Sequence, residues 1–199
     1  MPTVHEQYVS LSRYDFLVVF MGILIGLSVG KLVSFGGQLV SGKRLMRLPF
    51  AHSTYLLLTF LLQVHYWWKL WDAKAIAMVS FLTFLYLLIL PLLMYFATAI
   101  LCPESLSDQA GSLEGYFAER AKVFYLVIIA ILVVGALQGI FFWDQPYQAA
   151  ILRVVAVLLV LPGFFISARP FHSWLAISLL VLFFIYVFGA EHFSHPVAP

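Results

Sequence analysis

Long apolar runs alternate with short polar stretches along the whole of this chain, and six of the runs have the length of a bilayer crossing. A helix needs about 20 predominantly apolar residues to traverse the hydrocarbon. The pattern therefore predicts spans near residues 15–40, 50–70, 75–101, 121–142, 147–165 and 170–189. The expected architecture is all-α: a single membrane-embedded bundle of six transmembrane helices occupying residues 1–199.

The second span departs from uniform apolarity in an ordered way. At about 100° per residue, His52, Tyr55, Thr59, Gln63 and Tyr66 fall within about 80° of one another, whereas Leu57, Leu58, Leu61, Leu62 and Val64 cover other sides. An amide or imidazole facing acyl chains would lack a hydrogen-bond partner, so this seam is expected to face other helices or a wet cavity. Lys31 below it and Arg153 above it are the charged residues that could extend the seam into a path. Each has a plainer reading: Lys31 snorkels toward the basic loop after span one, and Arg153 pairs with a carboxylate such as Asp15, Asp72, Asp144 or Glu191. His65 points about 140° away from His52 at that spacing and is expected at the interface. Trp67, Trp68 and Trp71 read as an aromatic headgroup belt.

Other spans carry structural signals. Gly22, Gly26 and Gly30 share a ridge suited to close helix contact, inside the chain or between two copies of it. Pro91 removes a backbone donor from span three and should kink it. Span five breaks near Pro162 and Gly163. Residues 103–120, with Glu104, Asp108, Glu114 and Glu119, read as a solvated acidic loop leading into an amphipathic turn at Tyr116 and Phe117. A protein partner could dock there. After residue 189, the tail containing His192 and His195 is expected to be loose.

Composition agrees with the bilayer reading and narrows the function. Hydrophobic residues make up 63% of the 199 and charged residues 10%, against about 45–50% and about 25% in soluble domains, and the mean hydropathy is +1.01. The lipid bilayer is thus the first expected partner. A net charge of +2 from scattered basic residues excludes a nucleic-acid footprint. Cys102, the single cysteine, excludes an intrachain disulfide or a thiolate metal cluster. The amino terminus lacks the basic region of a signal peptide, so the first span should persist in the mature protein. Lys43, Arg44, Arg47, Arg120, Lys122 and Arg169 lie on one side of six spans, against Arg13, Lys69 and Lys74 on the other. The positive-inside rule then directs both termini away from the cytoplasm.

Arg47-Leu48-Pro49-Phe50-Ala51-His52-Ser53 recurs, with two deletions, as Arg169-Pro170-Phe171-His172-Ser173. The plain reading is shared helix-start chemistry. The sharper readings are a paired imidazole site for b-type haem through His52 and His172, or a proton-handling pair. Neither a metal-ligand motif nor a phosphate loop or nucleophile elbow occurs, so no catalytic residue is assigned and an enzyme is disfavoured. The glycine ridge of the first helix, the His65-Tyr66-Trp67-Trp68-Lys69-Leu70-Trp71 ending of the second and Leu101-Cys102-Pro103 ending the third give the chain a resemblance to small uncharacterised bacterial membrane proteins of about six spans. That resemblance implies a bacterial inner membrane and brings no activity. The expected function is binding or permeation of a small polar or anionic solute along the seam. The alternatives are a haem-binding redox subunit and a non-catalytic accessory protein.

Overall fold

The computed structural model describes residues 13–41, 48–70, 80–103, 113–142, 145, 147–166 and 168–194. These form six helices: α1 (Arg13–Ser41), α2 (Phe50–Lys69), α3 (Phe81–Leu101), α4 (Leu113–Phe142), α5 (Tyr147–Val160) and α6 (Arg169–Ser194). A 3-10 turn, Leu161–Phe164, follows α5 at the Pro162-Gly163 break. No strand occurs among the described residues. Large apolar side chains line the outside, among them Phe16, Phe81, Phe141, Leu158 and Phe188. In water such a surface would drive aggregation; in lipid it is the expected exterior.

Five helices, not six, are apolar and long enough to cross a membrane on those properties alone: α1, α3, α4, α6, and α5 with its 3-10 turn. The exception is α2, and its polar seam is the reason. His52, Tyr55, Thr59, Gln63 and Tyr66 are all buried, because α2 is packed by α1, α3 and α6 and by rings of α4. The most polar helix thus turns its polar face into the bundle, while Leu57, Phe60, Val64 and Trp68 remain exposed on its other side.

Boundaries also differ from the sequence expectation at two places. Helix α4 begins at Leu113 rather than near 121, since Leu113, Tyr116 and Phe117 point into the core and continue the helix through the expected amphipathic turn. Helix α6 runs to Ser194, beyond Gly189; a lone glycine costs only about 1 kcal/mol and does not by itself end a helix. Residues 71–79 and 104–112, with Trp71 and the acidic loop, lie outside the described residues.

Pro91 sits buried inside α3. A proline there cannot donate to the carbonyl of residue 87, and the Tyr66 hydroxyl of α2 donates to that oxygen at 3.0 Å. One residue earlier, the Gln138 amide of α4 donates to the Tyr86 carbonyl at 2.9 Å. Neighbouring helices therefore satisfy the backbone at the proline, which is how membrane helices tolerate one. Nearby, the Thr98 hydroxyl accepts from Ser28 of α1 and from Gln63 of α2, each at 2.9 Å, and donates to the Met94 carbonyl. This node binds three helices together. Substituting Tyr66→Phe is expected to cost about 1–2 kcal/mol by orphaning the Leu87 carbonyl. Thermal unfolding in detergent measures it, and an unchanged midpoint would count against the role assigned to Tyr66.

The expected use of the glycine ridge inside the chain is not what the structure shows. A side-chain carbon added at Gly22, Gly26 or Gly30 would meet nothing within 4 Å. The α1 contact with α3 is instead made by larger residues such as Phe20, stacked edge-on against Phe84 at 5.6 Å.

Candidate functional site: two cavities beside the second helix

Antiparallel chain direction brings the amino ends of α2, α4 and α6 to one end of the bundle and the carboxyl ends of the same helices to the other. Each end holds a cavity. At the carboxyl end of α2, an inner cavity of about 120 Å³ lies among α2, α3, α4, α5 and α6. Most of its wall is apolar, including Leu58, Leu62, Met94, Ile128 and Leu179. His65, Lys69, Gln138, Gln145, Arg153 and Tyr186 supply the polar groups.

The Tyr186 hydroxyl is the centre of that polar end. It accepts from Arg153 Nη2 at 2.9 Å and from Gln145 Nε2 at 2.8 Å. The guanidinium also lies over the Tyr186 ring, 4.9 Å from its centroid, and His65 meets the same ring edge-on at 5.3 Å. Arg153 therefore has a phenol as its partner in place of the expected carboxylate: the ion pairs among the described residues are Arg120–Glu119 and Arg169–Glu114. Asp72 and Asp144 lie outside the described residues. One guanidinium N–H is engaged and the others remain available to an acceptor in the cavity. The amide oxygens of Gln138 and Gln145 have no hydrogen-bond partner. Gly139 makes this geometry possible, because a side-chain carbon there would sit 2.8 Å from Arg153 Nη1 and against the Gln145 amide.

At the other end, a larger vestibule of about 620 Å³ is lined by His52, Phe117, Lys122, Arg169 and His172, among others. A knot of aromatic side chains lies beside it. Tyr125 Oη is 2.6 Å from His172 Nδ1 and 3.2 Å from Tyr55 Oη, and Tyr55 Oη donates to the His172 carbonyl at 3.2 Å. If His172 carries its proton on Nδ1, every donor in this ring has an acceptor: imidazole to Tyr125, Tyr125 to Tyr55, Tyr55 to the carbonyl. Phe117 and Phe124 pack against Tyr55 at 5.4 and 5.0 Å. Gly163 lets the 3-10 turn approach the buried Tyr125 ring, which a side-chain carbon would meet at 2.7 Å.

The expected seam residues are thus buried together but do not line one continuous path. His52 borders the vestibule and Tyr66 the inner cavity. Tyr55 belongs to the aromatic knot, Thr59 donates back to the Tyr55 carbonyl, and Gln63 is held in the three-helix node. Lys31 is half-buried, close enough to Cys102 for its charge to act on the thiol, and lines neither cavity. Of these seven residues, Arg153 alone is placed with a free hydrogen-bonding face toward the mostly apolar inner cavity.

His52 and His172 both meet the ring of Phe117 edge-on, at 5.8 and 6.1 Å. The serines of the repeated start motif donate to the carbonyl four residues earlier, Ser53 to Pro49 and Ser173 to Arg169. Sequence reasoning missed His65, Gln145 and Tyr186. His65 lies far round from the seam, and on a surface helix that would mean lipid or headgroups. Because α6 packs along that side of α2, His65 faces Phe183 and Tyr186. No protein-family model, curated protein or solved structure matches the chain.

Proposed function

We propose that this membrane protein binds a small anion bearing an apolar chain, with the anionic group at Arg153 and the chain along the leucine-lined part of the inner cavity, as a binding or permeation step. The observation that supports this reading is the Arg153 guanidinium itself. A cation within an apolar helix is costly unless paired, and such residues mark ligand or ion pathways. Here a phenol and a tyrosine ring hold it while most of its donors stay open. In the same reading α2 is the sixth crossing, since its 20 residues reach about 30 Å. The membrane is a bacterial inner membrane, the vestibule faces the cytoplasm, and both termini face away from it. The unused glycine ridge of α1 is where a second copy would pack.

Octanoate is a suitable probe, with octanol as its uncharged counterpart. Purified protein should bind octanoate, and Arg153→Gln should weaken that binding by roughly tenfold or more, the loss of a charge-assisted contact, while octanol binding is unchanged. Gly139→Ala separates site from stability. The atoms it displaces are the flexible ends of Arg153 and Gln145, so the unfolding midpoint should hold while octanoate affinity falls by a similar factor. Equal octanoate affinity in wild type and Arg153→Gln would refute the assignment.

Haem held by His52 and His172 would have to displace the Phe117 ring packed against both imidazoles. A Soret band in the purified protein would support that alternative against the anion site. The accessory-protein alternative rests on the acidic loop 103–120, with Glu104, Asp108, Glu114 and Glu119, and recovery of a stoichiometric partner that is lost when Glu104 and Asp108 are replaced would support it.

A further inference from the structure

The vestibule has features that the inner-cavity reading does not use. His52 lines it, is only 1% exposed, and has no hydrogen-bond partner at either ring nitrogen. The rings of Phe35 and Phe117 flank it, and the Leu101 carbonyl lies nearby without forming an acceptable hydrogen bond. An imidazole in such a position has at least one N–H, two when protonated, and the Leu101 carbonyl, out of full hydrogen-bond geometry, is the acceptor beside it.

The backbone beside it is in the same condition. Helix α2 starts after Pro49 with no side-chain cap. The first amide to bond backward is Ser53, to the Pro49 carbonyl at 3.1 Å. The N–H groups of Phe50, Ala51 and His52 therefore have no acceptor within the helix. Phe50, Ala51 and His52 all line the vestibule, as do Glu114 and Gly115 from the start of α4 and Arg169 from the start of α6. Three helix starts direct the positive ends of their dipoles to one space.

Side-chain charge has the same sign. Lys122 and Arg169 line the vestibule against the single carboxylate of Glu114. Glu114 is already paired with Arg169 Nε at 2.6 Å, which leaves the remaining guanidinium donors free. No set of three His, Cys, Asp or Glu side chains able to hold a metal ion occurs among the described residues. The donors outnumber the acceptors, which selects an anion rather than a cation.

We propose that the vestibule binds a phosphate-class oxyanion through the His52 imidazole, the free amides of the first turn of α2, and Arg169. Amides at a helix start are suited to phosphate oxygens, and an adjacent arginine adds charge-assisted bonds. A lipid headgroup and a free phosphate present the same chemistry to this site. The proposal is independent of the anion placed at Arg153.

The full-length protein in neutral detergent provides the test. Its unfolding midpoint is followed with inorganic phosphate against chloride at equal ionic strength, and with dihexanoyl phosphatidic acid against dihexanoylglycerol. A rise with phosphate identifies a free oxyanion; a rise with phosphatidic acid alone identifies a headgroup; both outcomes support the site. In His52→Phe, which keeps a ring among rings and removes the unpartnered nitrogens, the unliganded midpoint should stay level or rise. The apparent affinity should drop roughly tenfold or more. Arg169→Gln, at an exposed position, should weaken binding as well, and it carries the test should His52→Phe not fold. Arg153→Gln should bind phosphate as wild type does. No stabilisation by either ligand, or undiminished affinity in His52→Phe or Arg169→Gln, would overturn the proposal.

Discussion

Replacing Tyr125 with alanine is expected to destabilise the protein by about 3 kcal/mol, toward the lower end of the 3–5 kcal/mol typical of large aromatic truncations in soluble cores. The lower end applies because lipid is nearly as apolar as the core, so little is lost in transfer and most of the cost comes from lost packing. Tyr125 is wholly buried. Its ring touches Tyr55, Phe117, Phe124, Phe164 and His172, and its hydroxyl links α2 to α6 through Tyr55 and His172. Alanine removes both the volume and the bridge. With soluble-domain scaling the midpoint should fall on the order of 6–12 °C, measurable by differential scanning fluorimetry in detergent. A fall under about 2 °C would mean that the aromatic knot contributes little.

Gly163→Ala is expected to produce the second-largest loss, about 1–3 kcal/mol, by overpacking the same place. The added carbon would meet the Tyr125 ring at 2.7 and 2.9 Å. Unlike the amide and guanidinium ends opposite Gly139, this ring is enclosed on every side and has no open direction in which to move. The two substitutions should therefore be strongly non-additive. In a Tyr125→Ala background the alanine at 163 has space, and adding it should cost almost nothing further. Additive losses in the double variant would show that Gly163 acts through something other than Tyr125.

The inward-facing side of α2 was legible from spacing alone because the penalty is local: Gln63 and His52 carry the polar atoms that lipid rejects, whatever lies around them. The partners were not legible. That Gln63 and Ser28 meet at the Thr98 hydroxyl, or that Tyr66 caps the carbonyl freed by Pro91, depends on how three helices are rotated about their axes. Arg153 was identifiable as a charge needing compensation, yet the compensating group is Tyr186, a residue that reads as an ordinary interfacial aromatic near the end of α6. The neighbours of His65 were hidden for a related reason: a polar stripe marks one inward side of α2, and it does not reveal that α6 packs against the next side round. The six-span expectation rested on length, and the polarity of α2 is what separates it from the five helices that qualify by composition.

The polar face that α2 turns toward α3 also constrains biogenesis. A segment with His52, Gln63, His65 and Lys69 has a weak claim to partition into lipid by itself, since insertion is decided by the summed apolarity of the segment presented. Two of its polar side chains, Gln63 and Tyr66, find their acceptors on the third helix, at the Thr98 hydroxyl and the Leu87 carbonyl. The proposed sixth crossing is therefore expected to enter the bilayer together with the third helix, which carries those acceptors.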